Sequence, residues 1–318
     1  MKRKRIVFLG EKPLGFECLK YLHGLPDAEI VGVCTRKSYD GWWGQDGIVP
    51  YCAQNGIPVL ARRDILNLEV DHLISVLYPF VIEPECIRHA SSFSFNLHEA
   101  PLPRWRGCNA VSHAILAGDS FFGTTLHEMV PELDAGRIIA KVTFPIADGE
   151  TAKELYERTA EHSLAMAKTW FPRLLRDEYE FTPVALPNSG TPNPRHSLMN
   201  IRQLSDVADL SEALTIARAL DFVPWEPAYI QAGAHKYYFC IAGASGREGA
   251  HIPHPVQLSY VTNLGRLPFG EFTTATIDTQ PRPLFICRDD IYSELYPLRR
   301  SVKVLETVLV ADEAGRIG

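Results

Sequence analysis

Short apolar runs alternate with amphipathic stretches through the first half of the chain. Strand-like runs lie at Arg5 to Leu9, Glu29 to Cys34, His72 to Leu77, Phe93 to Leu97, Thr124 to Met129 and Ile138 to Phe144. Between them, Pro13 to Leu22 carries Phe16, Leu19 and Leu22 at helical spacing, and Asn109 opens a helix running to Leu116. Thr151-Ala152-Lys153-Glu154 is a capping box that starts a long helix with Leu155, Leu164, Ala167, Phe171 and Leu174 to bury. Alternating strands and helices predict a wound, mostly parallel α/β sheet over residues 1–183.

The pattern changes after that. Residues 184–200 hold Pro187, Gly190, Pro192 and Pro194 among Asn and Ser, the composition of an irregular linker. Residues 201–318 then read as one helix, Leu210 to Leu220, followed by β-like runs. These are Tyr237 to Ile241, Val256 to Thr262, Thr273 to Ile277, Pro283 to Cys287 and Tyr292 to Leu298. They predict a smaller β-rich, OB-like C-terminal domain.

Composition narrows the function classes. The formal net charge of −6 gives no global attraction to nucleic acid. Seven scattered cysteines with no C-x-x-C read as reduced thiols of a cytoplasmic protein, and no metal-ligand spacing is present. The basic start Met1 to Arg5 precedes an apolar run, Ile6 to Leu9, too short for a signal peptide, and no run is long enough to span a bilayer. Neither a membrane nor a nicotinamide cofactor is expected, since Gly10 to Gly15 is not G-x-G-x-x-G.

The candidate chemistry sits at the end of the fourth strand-like run. Asn96 and His98 are two residues apart and share a face of an extended strand. Asp134, in the turn Leu133-Asp134-Ala135-Gly136-Arg137, is far enough downstream to return from a neighbouring strand. An amide donor, an imidazole and a carboxylate around one point suit acyl transfer: one holds a developing oxyanion, one manages protons, one orients the imidazole. His127 reads as a strand residue facing the site wall.

These residues resemble the formyltransferases that use N10-formyltetrahydrofolate. The likeness rests on Asn96-x-His98, the loop Leu102-Pro103-Arg104-Trp105-Arg106-Gly107, Gly123-Thr124-Thr125 and Asp134-Ala135-Gly136, in that order. Arg218 to Phe222 and Pro227-Ala228 resemble the opening of that family's C-terminal domain. The resemblance implies a Rossmann-like formyltransferase fold, catalysis by Asn96, His98 and Asp134, and N10-formyltetrahydrofolate as co-substrate. It further implies that Tyr78, Phe80, Val81 and Ile82 line a pterin pocket, largely through backbone, with Gly136 beside it; ordinary strand-end packing is the other reading of that segment.

Two acceptors fit that expectation. A methionyl-tRNA formyltransferase fits the length and layout. Against it, residues 201–318 hold 11 Lys+Arg and 14 Asp+Glu, whereas a tRNA-gripping domain is expected to be basic. The Trp42-Trp43 pair resembles that of the amino-sugar N-formyltransferases, and aromatic faces stack on sugars and bases. Arg104 and Arg106 are read either as substrate-phosphate contacts or as loop anchors. The favoured acceptor is a nucleotide-linked amino sugar, with the C-terminal domain left to serve homodimer formation or a second ligand contact. A formyltetrahydrofolate hydrolase and a non-catalytic binding protein of the same fold stay open as alternatives. The hydrolases carry a small domain ahead of the catalytic one, and this chain starts directly with its first strand.

Overall fold

In the computed structural model, the residues described are 3–36, 47–182, 191–204, 209–246, 256–258, 264, 267, 269–296 and 298. They divide into two compact units. The first comprises Met1–Ala110, Asp119–Ile146 and Tyr156–Arg195, and the second Val111–Gly118, Ala147–Leu155 and His196–Gly318.

The first unit is built on strands β1 (Lys4–Gly10), β2 (Ala28–Cys34), β3 (His72–Val76), β4 (Phe95–His98), β5 (Phe121–Glu128) and β6 (Ile138–Pro145). Their order across the sheet is β2-β1-β3-β4-β5-β6. The first four are parallel, and β5 and β6 run antiparallel to their neighbours. Side-chain alternation explains why β1 is apolar from Ile6 to Leu9. Ile6 and Phe8 point into one core with α1 (Lys12–His23) and α5 (Ala152–Leu175), where Leu14, Leu19, Met166 and Phe171 pack. Val7 and Leu9 point to the other face, where Leu73, Ile82 and Cys86 close a second cluster.

The six predicted strands of this sheet are all present, as are the helices expected over 13–22, 109–116 and from 151 onward. The capping box is formed: Thr151 N–H donates to Glu154 at 2.9 Å, and Glu154 N–H donates back to the Thr151 hydroxyl at 3.4 Å. Two short helices, α2 (Ile48–Gln54) and α3 (Pro84–His89), were not anticipated. Six or seven residues give too few turns for a periodic signal. The remaining helix of this region is α4 (Ala110–Leu116).

Of the expected linker, residues 191–200 are among those described. Residues 191–195 run beside the 106–108 loop, where Asn193 N–H donates to Arg106 O at 2.9 Å and Cys108 N–H donates to Asn193 O at 2.8 Å.

In the second unit, α6 (Leu210–Leu220) spans the predicted helix, with Asp209 capping it through the Glu212 N–H at 2.9 Å. A five-stranded sheet follows in the order β7-β8-β11-β10-β9, formed by β7 (Ala228–Ala232), β8 (His235–Ile241), β9 (Val256–Leu258), β10 (Thr274–Ile277) and β11 (Leu284–Arg288). It is antiparallel except for the β9–β10 pair. Tyr237, Phe239 and Ile241 pack on α6, and Tyr238 and Cys240 face the opposite side. The run expected as a strand over 292–298 is instead entered by a helix, α7 (Asp289–Leu295). Its aromatic content reads as β, but Tyr292 and Tyr296 are four apart, and their rings pack together at 5.1 Å with Tyr292 against Tyr238 at 4.7 Å. No helix among the described residues is long and apolar enough to cross a membrane.

Candidate active site

Strand β4 places the site. Phe95 and Leu97 are buried in the core, so Asn96 and His98 project together from the opposite face. Register then supplies a partner: in the β4–β5 ladder Asn96 lies directly across from His127. Asn96 Nδ2 is 3.0 Å from His127 Nε2, while His127 Nδ1 is 2.7 Å from the Glu128 carbonyl. A carbonyl only accepts, so Nδ1 carries the ring proton and Nε2 must accept from the Asn96 amide. Burial pushes His127 down to about 4, which keeps the ring neutral and this pattern fixed. Asn96 is therefore held with its NH2 toward His127, with one of its two hydrogens committed there.

His98 is set by the same logic. Its Nε2 donates to the Trp105 carbonyl at 3.1 Å, leaving Nδ1 as the basic atom of the neutral ring. Nδ1 is 3.8 Å from Asp134 Oδ2, and His127 Nε2 is 3.8 Å from Asp134 Oδ1. Both separations exceed direct hydrogen-bond length. The carboxylate thus faces Nδ1 without already being bonded to it, and a proton arriving at Nδ1 meets a negative charge.

One backbone contact and one side-chain clamp hold the turn at Asp134, which is buried and has φ +50. Gly107 N–H donates to Oδ2 at 2.8 Å. Arg106, itself buried, donates from Nε to the Leu133 carbonyl at 2.8 Å and pairs with Glu132 at 3.0 Å. Gly107 has φ +85, and a Cβ there would lie 2.5 Å from the Asn193 carbonyl, so only glycine fits. The loop is pinned at its other end. Asp119 takes the Arg104 guanidinium at 2.7 Å and the Trp105 ring N–H at 2.8 Å, with Arg104 stacked over the indole at 4.8 Å. That anchor holds Trp105 at φ +60, where its carbonyl meets His98.

The structure brings Asn96, His98 and Asp134 together around His127. It gives Arg106 a loop-anchoring contact and leaves Arg104 largely exposed beside Trp105. A Cβ on Gly136 would lie 1.9 Å from the Glu128 carbonyl, so that glycine permits close approach of the turn to β5. Tyr78, Phe80, Val81 and Ile82 follow β3. The Tyr78 and Phe80 rings meet at 5.6 Å, Arg36 and Arg62 lie over Phe80, Val81 is exposed, and Ile82 is buried. Trp42 and Trp43 lie outside the described residues. The residues missed as functional are His127 and the backbone groups of Trp105 and Gly107. Only strand register and loop conformation reveal them.

Residues 56–170 match the sequence model of the formyl transferase family. That stretch is similar to a formyl transferase domain. It contains β4, the Arg106–Gly107 loop and Asp134. The chain is 32% identical over 170 residues to the methionyl-tRNA formyltransferase of Pseudomonas fluorescens (strain SBW25), covering 49% of this chain and 53% of that protein. It is 34% identical over 117 residues to the methionyl-tRNA formyltransferase of Methylobacillus flagellatus, covering 34% and 38%. The chain thus spans about half or less of the length of these curated relatives. Among solved structures, it resembles WlaRD, a sugar 3N-formyl transferase, with TM-score 0.67 and 18% identity, covering 91% of this chain and 99% of that one. An N-formyltransferase from Helicobacter canadensis, in complex with folinic acid and dTDP-3-aminofucose, gives TM-score 0.64 and 19% identity with the same coverage. These two likenesses establish the formyltransferase fold.

Proposed function

We propose that the protein transfers a formyl group from N10-formyltetrahydrofolate to the amine of a nucleotide-linked amino sugar. The observation that carries the transfer is the oriented Asn96 amide beside a His98 ring whose basic nitrogen faces Asp134. The co-substrate supplies an activated formyl carbon. As the acceptor amine adds to it, the free Asn96 N–H donates to the oxygen that becomes negative. His98 Nδ1 takes the proton released by the amine, and Asp134 steadies the imidazolium. His98 returns that proton to the departing folate nitrogen as the carbon–nitrogen bond breaks. The segment at 78–82, with its exposed Val81 and half-exposed Phe80, offers the apolar surface a pterin ring requires.

Three observations support the sugar acceptor. Fold likeness extends over 91% of the chain to a protein named a sugar 3N-formyl transferase and to an N-formyltransferase in complex with dTDP-3-aminofucose. The region 201–318 is net acidic, with 11 Lys+Arg against 14 Asp+Glu. Trp42 and Trp43 are aromatic residues of a type that stacks on sugars and bases. A second reading, methionyl-tRNA as acceptor, is favoured by the names of the relatives at 32% and 34% identity. The test is a formyl-transfer assay with N10-formyltetrahydrofolate and two acceptor sets, nucleotide-linked amino sugars and aminoacylated initiator tRNA, read by mass spectrometry. A sugar gaining one formyl mass supports the proposal. Formylated methionyl-tRNA alone replaces it with the second reading, and an Asn96→Ala protein as active as the parent removes the mechanism.

A further inference from the structure

Residues 191–195 form a short strap that bonds to two separate parts of the candidate site. Pro192 and Pro194 flank Asn193, so two φ angles of the strap are fixed by their rings. Asn193 meets the loop after β4 as an isolated parallel bridge to Gly107. Its N–H donates to the Arg106 carbonyl at 2.9 Å, and its carbonyl accepts from the Cys108 N–H at 2.8 Å.

The Arg106–Gly107 peptide is therefore held at both ends. In a trans peptide the C=O and N–H point to opposite sides of one rigid plane. Here the strap fixes the carbonyl end, and the N–H end donates to Asp134 Oδ2 at 2.8 Å. Rotating the plane at one end rotates it at the other, so the strap sets the aim of the N–H that holds the carboxylate.

Two residues further on, the strap reaches the segment after β3. Arg195 Nη2 donates to the carbonyl of Pro79, which lies between Tyr78 and Phe80, at 3.0 Å. The Arg195 main chain is anchored in turn, its carbonyl accepting from Asn109 Nδ2 at 3.0 Å. Asn109 sits at φ +58, a region that asparagine enters more readily than most residues. Arg195 thus ties the 78–82 segment to the loop that carries Gly107. The Arg195 side chain is exposed, where losing a polar contact changes folding stability little. What the contact fixes is the relative placement of two functional segments.

We infer that Arg195 is a positioning residue for formyl transfer, holding the donor-binding segment in place relative to the peptide that aims at Asp134. The inference rests on the reading that seats the folate donor against residues 78–82. A donor seated there has to bring its formyl carbon to Asn96 and His98, so a small drift of the segment registers in the rate. It also registers in donor affinity, because a segment that is not held beforehand must be ordered on binding.

The experiment compares wild type with Arg195→Ala, Arg195→Lys and Asn109→Gly. Folinic acid binding is measured by calorimetry, and formyl transfer by steady-state kinetics with N10-formyltetrahydrofolate and a nucleotide-linked amino sugar. Arg195→Ala is expected to weaken folinic acid binding and to lower kcat/KM for the donor by about 3- to 10-fold, the worth of one hydrogen bond. Its acceptor KM and melting temperature are expected to match wild type. Arg195→Lys keeps one charged donor and is expected to recover most of the loss. Asn109→Gly keeps the positive φ but drops the anchor on Arg195, and is expected to shift donor affinity in the same direction. The double variant Arg195→Ala/Asn109→Gly is expected to be no worse than Arg195→Ala, since the two residues act through one contact. Wild-type folinic acid affinity and donor kinetics in Arg195→Ala overturn the inference alone. A lowered melting temperature with donor and acceptor KM rising together overturns it as well, since that is general loosening. Wild type binding no folinic acid overturns the donor reading and the inference with it.

Discussion

Asn96 donates its side-chain amide to Nε2 of His127, 3.0 Å away on the neighbouring antiparallel strand. The bond assigns each atom of the Asn96 amide a direction, and it depends on a histidine kept neutral by burial. Removing Asn96 is expected to cost about 10²- to 10³-fold in kcat, the usual loss for one oxyanion donor. His127→Leu leaves Asn96 in place but unoriented and is expected to cost about 10-fold or more in kcat with little change in donor KM. The double variant is expected to be no worse than Asn96→Ala, because residues acting as a unit are non-additive. Fully additive losses in steady-state kinetics would show that His127 acts separately.

The loop contacts predict a second outcome. Arg106→Lys keeps the charge but loses the fork that grips the Leu133 carbonyl and Glu132. A loss of about 1–3 kcal/mol in urea unfolding is expected, together with reduced kcat. Unchanged kcat would detach the turn from the chemistry.

Gly107→Ala tests the same clasp from the backbone side. The new methyl would meet the Asn193 carbonyl at 2.5 Å and take up φ +85. A destabilisation of more than about 1 kcal/mol is expected, with activity falling because the N–H aimed at Asp134 moves. Wild-type melting temperature and rate would contradict the clasp.

Two buried groups titrate in opposite senses. His127 is lowered to about 4 by burial, opposed by Asp134 and Glu128 and reinforced by His98. The unfolded chain therefore binds a proton that the folded one resists, so stability from His127 is present above about pH 6.5 and is lost as pH falls toward 4. Glu99 is raised from 4.5 to about 7, opposed by Lys12, so its contribution is present below about pH 4.5 and is lost as pH rises through 7. From about pH 5 to 6.5 the two slopes offset each other. Glu99→Gln deletes one of them, and its unfolding free energy is expected to climb relative to wild type by up to about 1.4 kcal/mol per pH unit across that window. Parallel urea-derived curves for the two proteins would rule this out.

The alternation along β1 to β6 was legible because both faces of that sheet are covered, which makes each strand a continuous apolar run. The Asn96–His98 spacing was legible because period-two geometry needs no tertiary information. The role of His127 was not: it follows from the Asn96–His127 register, and a one-residue slip would place His127 on the other face. Strand β7 escaped notice because Ala228 to Ala232 is weakly apolar and is paired mainly through its hairpin with β8. At α7, β-forming residue types were overruled by tyrosines at helical spacing packed against the sheet. For the candidate site, the residue types that meet there are readable from the sequence, and the proton positions are not. Those are set by the Trp105 and Glu128 carbonyls, which any residue carries.

The contacts that fix His98 and Asp134 come from the main chain, at the Trp105 carbonyl and the Gly107 amide, two residues apart. Peptide groups are the same whatever side chain they carry, but Arg104 and Arg106 anchor the loop that presents them, so it is sensitive both to loss of those anchors and to changes of length. Deleting or inserting one residue between Arg104 and Gly107 would displace the acceptor of the His98 proton and the clamp on Asp134 in a single step. The vulnerability of this candidate site is one of spacing.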